Sequence, residues 1–316
     1  MDLASWCKPR ITRTTSIMAI PLIPLVIAAL LSGHGLRSRS LSFPGAITAF
    51  VCLCGPIGVT LFAFYLIGSR ATKYGKKRKA QLEDDYQEAG YRSGVQVLCN
   101  SFTAFLASGL WCLVFAPDTF PWSLVVNSYT HSGPLSVESV AYNDGQWCPL
   151  DSTVSSGLSR AVMFVTLGTR YSLFPPADPY HTTLKTVPPG TNGGVSLGGT
   201  LASLFGLAVG VTMFISLIIE NAHCRGSWMT ILPSLVFWGG VAGAGGSLLD
   251  SFLGATLQRT RYSVDKKVIL TGHSEPTDRG RKDTVKVISG LNLLTNNQVN
   301  LLSSIGTALA VARFST

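Results

Sequence analysis

Charged side chains make up only 13% of the 316 residues, against 47% hydrophobic positions. That is about half the charge share of an average soluble domain and leaves too few polar groups to wet a globular surface. A soluble enzyme is therefore not expected. The chain also lacks a G-x-x-x-x-G-K-[ST] phosphate loop, an internal repeat, a low-complexity tract and any N-x-[ST] glycosylation sequon. The first absence removes the common route to nucleotide binding, and the last removes the usual marker of an outer face. Its seven cysteines show no metal-ligand spacing.

The charges that are present cluster. Eight of the 25 Lys and Arg residues lie between Arg259 and Lys286, and seven between Arg70 and Arg92. The runs between such clusters are long enough to cross roughly 30 Å of hydrocarbon at 1.5 Å per residue. The formal charge of +9 thus marks cytoplasmic loops, not a nucleic-acid footprint. Apolar runs predict spans within 14–36, 40–69, 93–117, 186–219, 226–249 and 287–312. Pro21 and Pro24 kink the first, which reads as a retained anchor, not a cleaved leader. A short run, Ala161 to Gly168, lies between Arg160 and Arg170.

The positive-inside bias decides whether the short run crosses. If it does, residues 1–14 and the loops 70–92, 170–194 and 259–286 share one face and carry 20 of the 25 basic residues. If it does not, the eight-charge loop moves outside. The predicted architecture is an all-α, polytopic bundle of about seven transmembrane helices, the fourth short, spanning residues 15–316 with the N-terminus cytoplasmic. Arg160 and Arg170 must then snorkel to opposite interfaces.

Free buried thiols are the expectation for the cysteines, and a Cys148–Cys224 disulfide is the alternative in a secretory lumen. Small residues recur every fourth position at Gly198, Ala202, Gly206 and Gly210, and again at Gly239, Gly243 and Ser247. Lipid gives little hydrophobic gain for pairing helices, so close backbone approach must drive it, and the fifth and sixth spans are expected to pack together. In the seventh, Asn292, Asn296 and Asn300 fall four apart, with Asn297 and Gln298 beside them. Amides in hydrocarbon should turn inward, as structural glue or as a polar pocket with Gln96 and Asn100.

Four stretches converge on the expected cytoplasmic face: IGSRATKYGKK, RSGVQVLCN, VPPGTNGG and GGVAGAGGSLLDSFLGATLQ. Lys73, Lys76 and Arg92 could balance phosphate charge, with Gly190, Asn192, Gly243, Gly245 and Gly246 allowing close backbone approach. Asp250 is a hard oxygen ligand suited to Mg²⁺, and equally a structural helix-end group.

The stretches KYGKKRKAQLEDDYQEAGYRSGVQVLCNS, VPPGTNGGVSLGGTLAS, GVAGAGGSLLDSFLGATLQ and LLTNNQVNLLSS resemble the transmembrane protein 19 family, domain of unknown function family 92. WCPLDSTVSSGLSRAVMFVTLG is similar to its fungal members. The resemblance runs from about residue 15 to the C-terminus. The family's plant branch includes a phytyl-phosphate kinase, which implies Mg²⁺ with CTP or ATP and an isoprenoid-phosphate substrate. It places Lys73, Gln96, Asn100, Gly190, Asn192, Asp250 and Asn296 in family motifs. The chain departs from the family where an acidic stretch like D-T-x-A-S-E-L-G is usual: it reads TRYSLFPPADPYHTTLKTVPPGTNGG, with Asp178 the sole carboxylate. If the missing carboxylates bind metal or act as base, activity is impaired. A membrane phosphotransferase is the leading expectation, a transporter or channel or a degenerate non-catalytic member the alternatives, and the endoplasmic reticulum the default membrane.

Overall fold

A computed structural model describes residues 60, 94–116, 142, 147–150, 158–167, 186–270 and 284–315. Apart from Thr60, the first two expected spans and the 70–92 loop lie outside these residues. The described helices are α1 (Gly94–Phe115), α2 (Leu158–Leu167), α3 (Leu197–Ser203), α4 (Gly206–Glu220), α5 (Ala222–Gly226), α6 (Trp228–Leu257) and α7 (Asn296–Ser315). Two stretches, Gly199–Glu220 and Trp228–Leu257, are long and apolar enough to cross a membrane. Their outward residues are apolar, including Leu201, Ile219, Met229, Phe237, Leu248 and Phe252, whereas Ser101, Ser108, Ser203, Ser216, Ser303, Ser304 and Thr307 are buried. Large apolar groups outside and small hydroxyls inside are what lipid as solvent selects.

The expected pairing of the glycine faces is present. A Cβ at Gly206 would lie 2.1 Å from the Gly239 carbonyl oxygen, one at Gly210 2.2 Å from that of Leu235, and one at Gly243 2.1 Å from that of Ser203. No side chain larger than hydrogen fits at these positions. The contacts run antiparallel, so the Glu220 end of α4 meets the Trp228 end of α6. In turn α7 packs antiparallel to α6, with Gly246 against Thr307 and Gly306 against Leu249.

This order separates two ends. At one, Cys148 and Cys224 form a disulfide, which corrects the expectation of free thiols for this pair. Spacing alone could not reveal it, because the pairing is made by tertiary packing. Fully buried Asn221 donates to Tyr142 Oη and to the Trp147 carbonyl at 2.9 Å each and accepts from the Cys224 N–H at 2.8 Å. Trp111, Phe115, Tyr142 and Trp147 pack with ring centroids 5.2–5.7 Å apart. The Trp111 indole N–H donates to Ser159 Oγ at 2.9 Å, tying α1 to the start of α2. The disulfide closes a separation of 76 residues. Cys148→Ser is therefore expected to lower stability by about 2 kcal/mol. The check is thermal unfolding in detergent: reductant should lower the wild-type midpoint and leave that of the variant unchanged.

At the other end the chain is not all-helical. The loop expected over 259–286 contains β1 (Thr260–Ser263) and β2 (Val268–Leu270), and β3 (Val285–Ser289) follows, in an antiparallel sheet of order β2-β1-β3. Their β-branched and aromatic residues suit a pleated surface. The helix expected as a seventh span consequently starts at Asn296, not Val287. Its first turn is closed by a capping box: Thr295 Oγ1 accepts from the Gln298 N–H, and Gln298 Oε1 accepts from the Thr295 N–H at 2.8 Å.

Candidate functional site

The last turn of α6 exposes carbonyls that helical geometry cannot satisfy. The segment before α7 supplies donors: Leu291 N–H to the Thr256 carbonyl at 2.8 Å, and Leu293 and Leu294 N–H to that of Leu257 at 3.1 Å. Gly290 makes this approach possible, with φ +75° and a Cβ position only 2.0 Å from the Gln258 carbonyl oxygen. The 186–196 loop docks on the same turn. Gly193, φ +76°, lies where a Cβ would meet Ala255 N at 2.3 Å and Ser251 O at 2.4 Å. Asn192 N–H donates to Thr260 Oγ1 at 3.2 Å, and Thr260 in turn accepts from Ser289 Oγ at 3.2 Å. Loop, helix end and sheet are thus locked together. Gly190 also has positive φ, +90°, which a β-carbon would oppose.

Asp250 lies two turns inside this end of α6, half-buried and facing α7. Ser303 Oγ is 3.5 Å from Asp250 Oδ1 and donates at 3.0 Å to the Asn300 carbonyl. Thr103 Oγ1 and Ser304 Oγ share a hydrogen bond of 2.6 Å, joining α1 to α7. One turn nearer the sheet on each helix stand Asn100 and Asn300. Among the described residues, their Oδ1 atoms are buried without a hydrogen-bond partner. The structure therefore sets Asp250 level with Ser303 on α7, and Asn100 and Asn300 one turn nearer the sheet.

Other expected residues are placed differently. Asn292 sits in the turn before α7, so Asn292, Asn296 and Asn300 do not form one helical stripe. Asn292 and Asn296 are exposed, and Asn297 is half-buried. Gly243, Gly245 and Gly246 lie within α6, where their N–H groups belong to the helix ladder. Gly243 faces Ser203, Gly246 faces Thr307, and among the described residues Gly245 has no neighbour within 4 Å. The structure gives Gly243 and Gly246 packing roles. Gln96 belongs to α1, with its side chain outside the described residues, as are Lys73, Lys76, Arg92 and Asp178.

Sequence reading missed Thr103, Ser303, Ser304 and Thr307. Their signal was available: on α7 these hydroxyls fall three, four and seven positions beyond Asn300, on one helix face. No three His, Cys, Asp or Glu side chains converge among the described residues. Mg²⁺ more often uses one or two carboxylates with substrate phosphates and water. Asp250 could supply one such carboxylate.

The family model described as "Integral membrane protein DUF92" matches residues 26–143 and 167–308. The unmatched stretch between them holds Cys148 and nearly all of α2. The chain is similar to Protein PGR of Arabidopsis thaliana, at 29% identity, over 89% of this chain and 91% of that protein. No solved structure matches it.

Proposed function

The chain belongs to the DUF92 family of integral membrane proteins, and from that premise we propose that it is a nucleotide-dependent phosphotransferase acting on isoprenoid or related lipid phosphates. The observation that carries the reading is the half-buried Asp250, level with Ser303 and two turns inside the end of α6 on which the 186–196 loop docks. A carboxylate and neutral oxygens set at the mouth of a helical bundle can meet a substrate whose tail stays in lipid while its phosphate reaches water. The resemblance to a family whose plant branch includes a phytyl-phosphate kinase points the same way.

In this reading the chain crosses the bilayer seven times, with α2 as the short fourth crossing. Its ten residues rise about 15 Å, half of the hydrocarbon thickness. The sheet end then faces the cytoplasm and the Cys148–Cys224 disulfide the oxidising lumen. CTP or ATP approaches from the cytoplasm, and Lys73, Lys76 and Arg92 are assigned to its phosphates. Asp250 would hold Mg²⁺, and the ion would supply charge neutralisation to the phosphates. The terminal phosphoryl group passes to a phosphate oxygen of the lipid, yielding a lipid diphosphate and the nucleoside diphosphate.

The test uses the full chain purified in detergent, supplied with Mg²⁺, CTP or ATP, and a prenyl monophosphate. Formation of the prenyl diphosphate is the expected result. A folded preparation that transfers nothing, yet carries the prenyl phosphate across liposomes, would instead establish transport, which the buried amides also suit.

A further inference from the structure

Glu220 ends the apolar stretch Gly199–Glu220, which is long enough to cross a membrane, and it is half-buried there. Its Oε1 accepts from Ser216 Oγ at 3.1 Å. Among the described residues that is its one hydrogen bond, and no cation pairs with it. A carboxylate at the edge of a span is costly to leave unpaired, so its persistence there points to a partner. The guanidinium of Arg225 sits on the same last turn of α4: its Nε donates to the Ile218 carbonyl at 3.0 Å and its Nη2 to that of Ile219 at 3.2 Å. Arg225 is otherwise exposed, which leaves it donors for a further acceptor. Two opposite charges thus stand on one helical turn, and among the described residues no ion pair joins them.

A groove of about 220 Å³ runs from Glu220 along α4, lined by Thr212, Ile215, Ser216 and Ile219. These residues share one helix face and extend about 12 Å at 1.5 Å per residue. Both hydroxyls on that face are already engaged. Thr212 Oγ1 donates to the Ala208 carbonyl at 2.8 Å, and Ser216 donates to Glu220. Ile215 and Ile219 are exposed. What the groove offers is therefore an apolar wall with a carboxylate at its mouth and a guanidinium beside it.

A water-soluble ligand would leave that wall unmatched, and a purely anionic lipid would be opposed by Glu220. A zwitterionic phospholipid answers each part: an acyl chain lies along Ile215 and Ile219, its phosphate accepts from Arg225, and its ammonium meets Glu220. The second carboxylate oxygen calls for an N–H donor, which a primary ammonium supplies and a quaternary one lacks. We infer that the groove binds one molecule of phosphatidylethanolamine, held between Glu220 and Arg225. The site lies at the disulfide end of α4, away from Asp250 and the sheet, so this lipid is a fixed companion of the fold and not the substrate of the proposed phosphoryl transfer.

The experiment takes the full chain in detergent, stripped of lipid, and adds phosphatidylethanolamine or phosphatidylcholine with the same acyl chains. Native mass spectrometry counts the lipid retained, and thermal unfolding follows the midpoint. One phosphatidylethanolamine is expected, bound at least about tenfold more tightly than phosphatidylcholine, as one charge-assisted hydrogen bond warrants, and raising the midpoint. Glu220→Gln keeps the size of the side chain and an oxygen for Ser216, and should bring phosphatidylethanolamine down to the phosphatidylcholine level. Ile219→Trp puts a larger ring at an exposed apolar position, fills the groove, and should weaken both lipids. An undiminished preference in folded Glu220→Gln, equal retention of the two lipids by the wild type, or unchanged phosphatidylethanolamine binding in folded Ile219→Trp would each overturn the site. A lipid-free dimer that Ile219→Trp dissociates would give the groove to a second copy of the chain and overturn it likewise.

Discussion

Gly239→Val is expected to destabilise the bundle by about 3 kcal/mol or more, while Gly245→Ala, six residues along the same helix, should be neutral or mildly stabilising. At Gly239 even the first added carbon would lie 2.4 Å from the Gly206 carbonyl oxygen, a backbone atom. A flexible side chain could swing away, but a helix backbone cannot move without separating α4 from α6 along their length, so overpacking is at its most costly. Among the described residues Gly245 meets nothing within 4 Å, and alanine there gains up to about 1 kcal/mol of helix propensity. Thermal unfolding monitored by size-exclusion chromatography in detergent separates the two. Equal midpoints for Gly239→Val and Gly245→Ala would refute the backbone-to-backbone seam.

Asp250→Asn is expected to reduce phosphoryl transfer by roughly a hundredfold to a thousandfold, the range found when a group that stabilises transition-state charge is removed. The substitution keeps size and shape, so packing against Ser303 survives while the negative charge that would hold a metal is lost. The thermal midpoint in chelator should therefore stay within a few degrees of wild type. The check is the prenyl monophosphate assay over a Mg²⁺ series. Excess Mg²⁺ should recover part of the rate if Asp250 contributes affinity for the ion. Undiminished transfer at limiting Mg²⁺ would show that Asp250 belongs to the helix alone.

Some of this was legible from residue spacing. Gly206, Gly210, Gly239 and Gly243 could be read because a four-residue interval in lipid has few purposes beyond helix contact, and the structure pairs them. The shortness of the fourth helix was visible in eight apolar residues between two arginines. The strands were hidden because Thr260–Ser263 and Val285–Ser289 are short and lie among Arg259, Lys266 and Lys286, where charge density reads as loop. Val287 then looked like the beginning of a span. The T-x-x-Q box at Thr295–Gln298 was in plain sight, and would have placed the start of α7 correctly and taken Asn292 off that helix.

Asp250 was singled out for its chemistry, but no spacing rule could set it against Ser303, 53 positions away. That depends on α7 running antiparallel to α6, which follows from the connection through the sheet. The Cys148–Cys224 link was similarly out of reach, because Asn221 and the aromatic rings set the two thiols in place through contacts distant in sequence.

If the substrate is the proposed lipid phosphate, the α4–α6 seam also limits how it can arrive. Where Gly206, Gly210, Gly239 and Gly243 meet, two backbones with only hydrogen between them leave no gate for a hydrocarbon tail. Any molecule travelling laterally from the bilayer toward Asp250 must part other neighbours, such as α6 and α7 beside Leu249 and Gly306, where a leucine tip and not a peptide bond stands in the way.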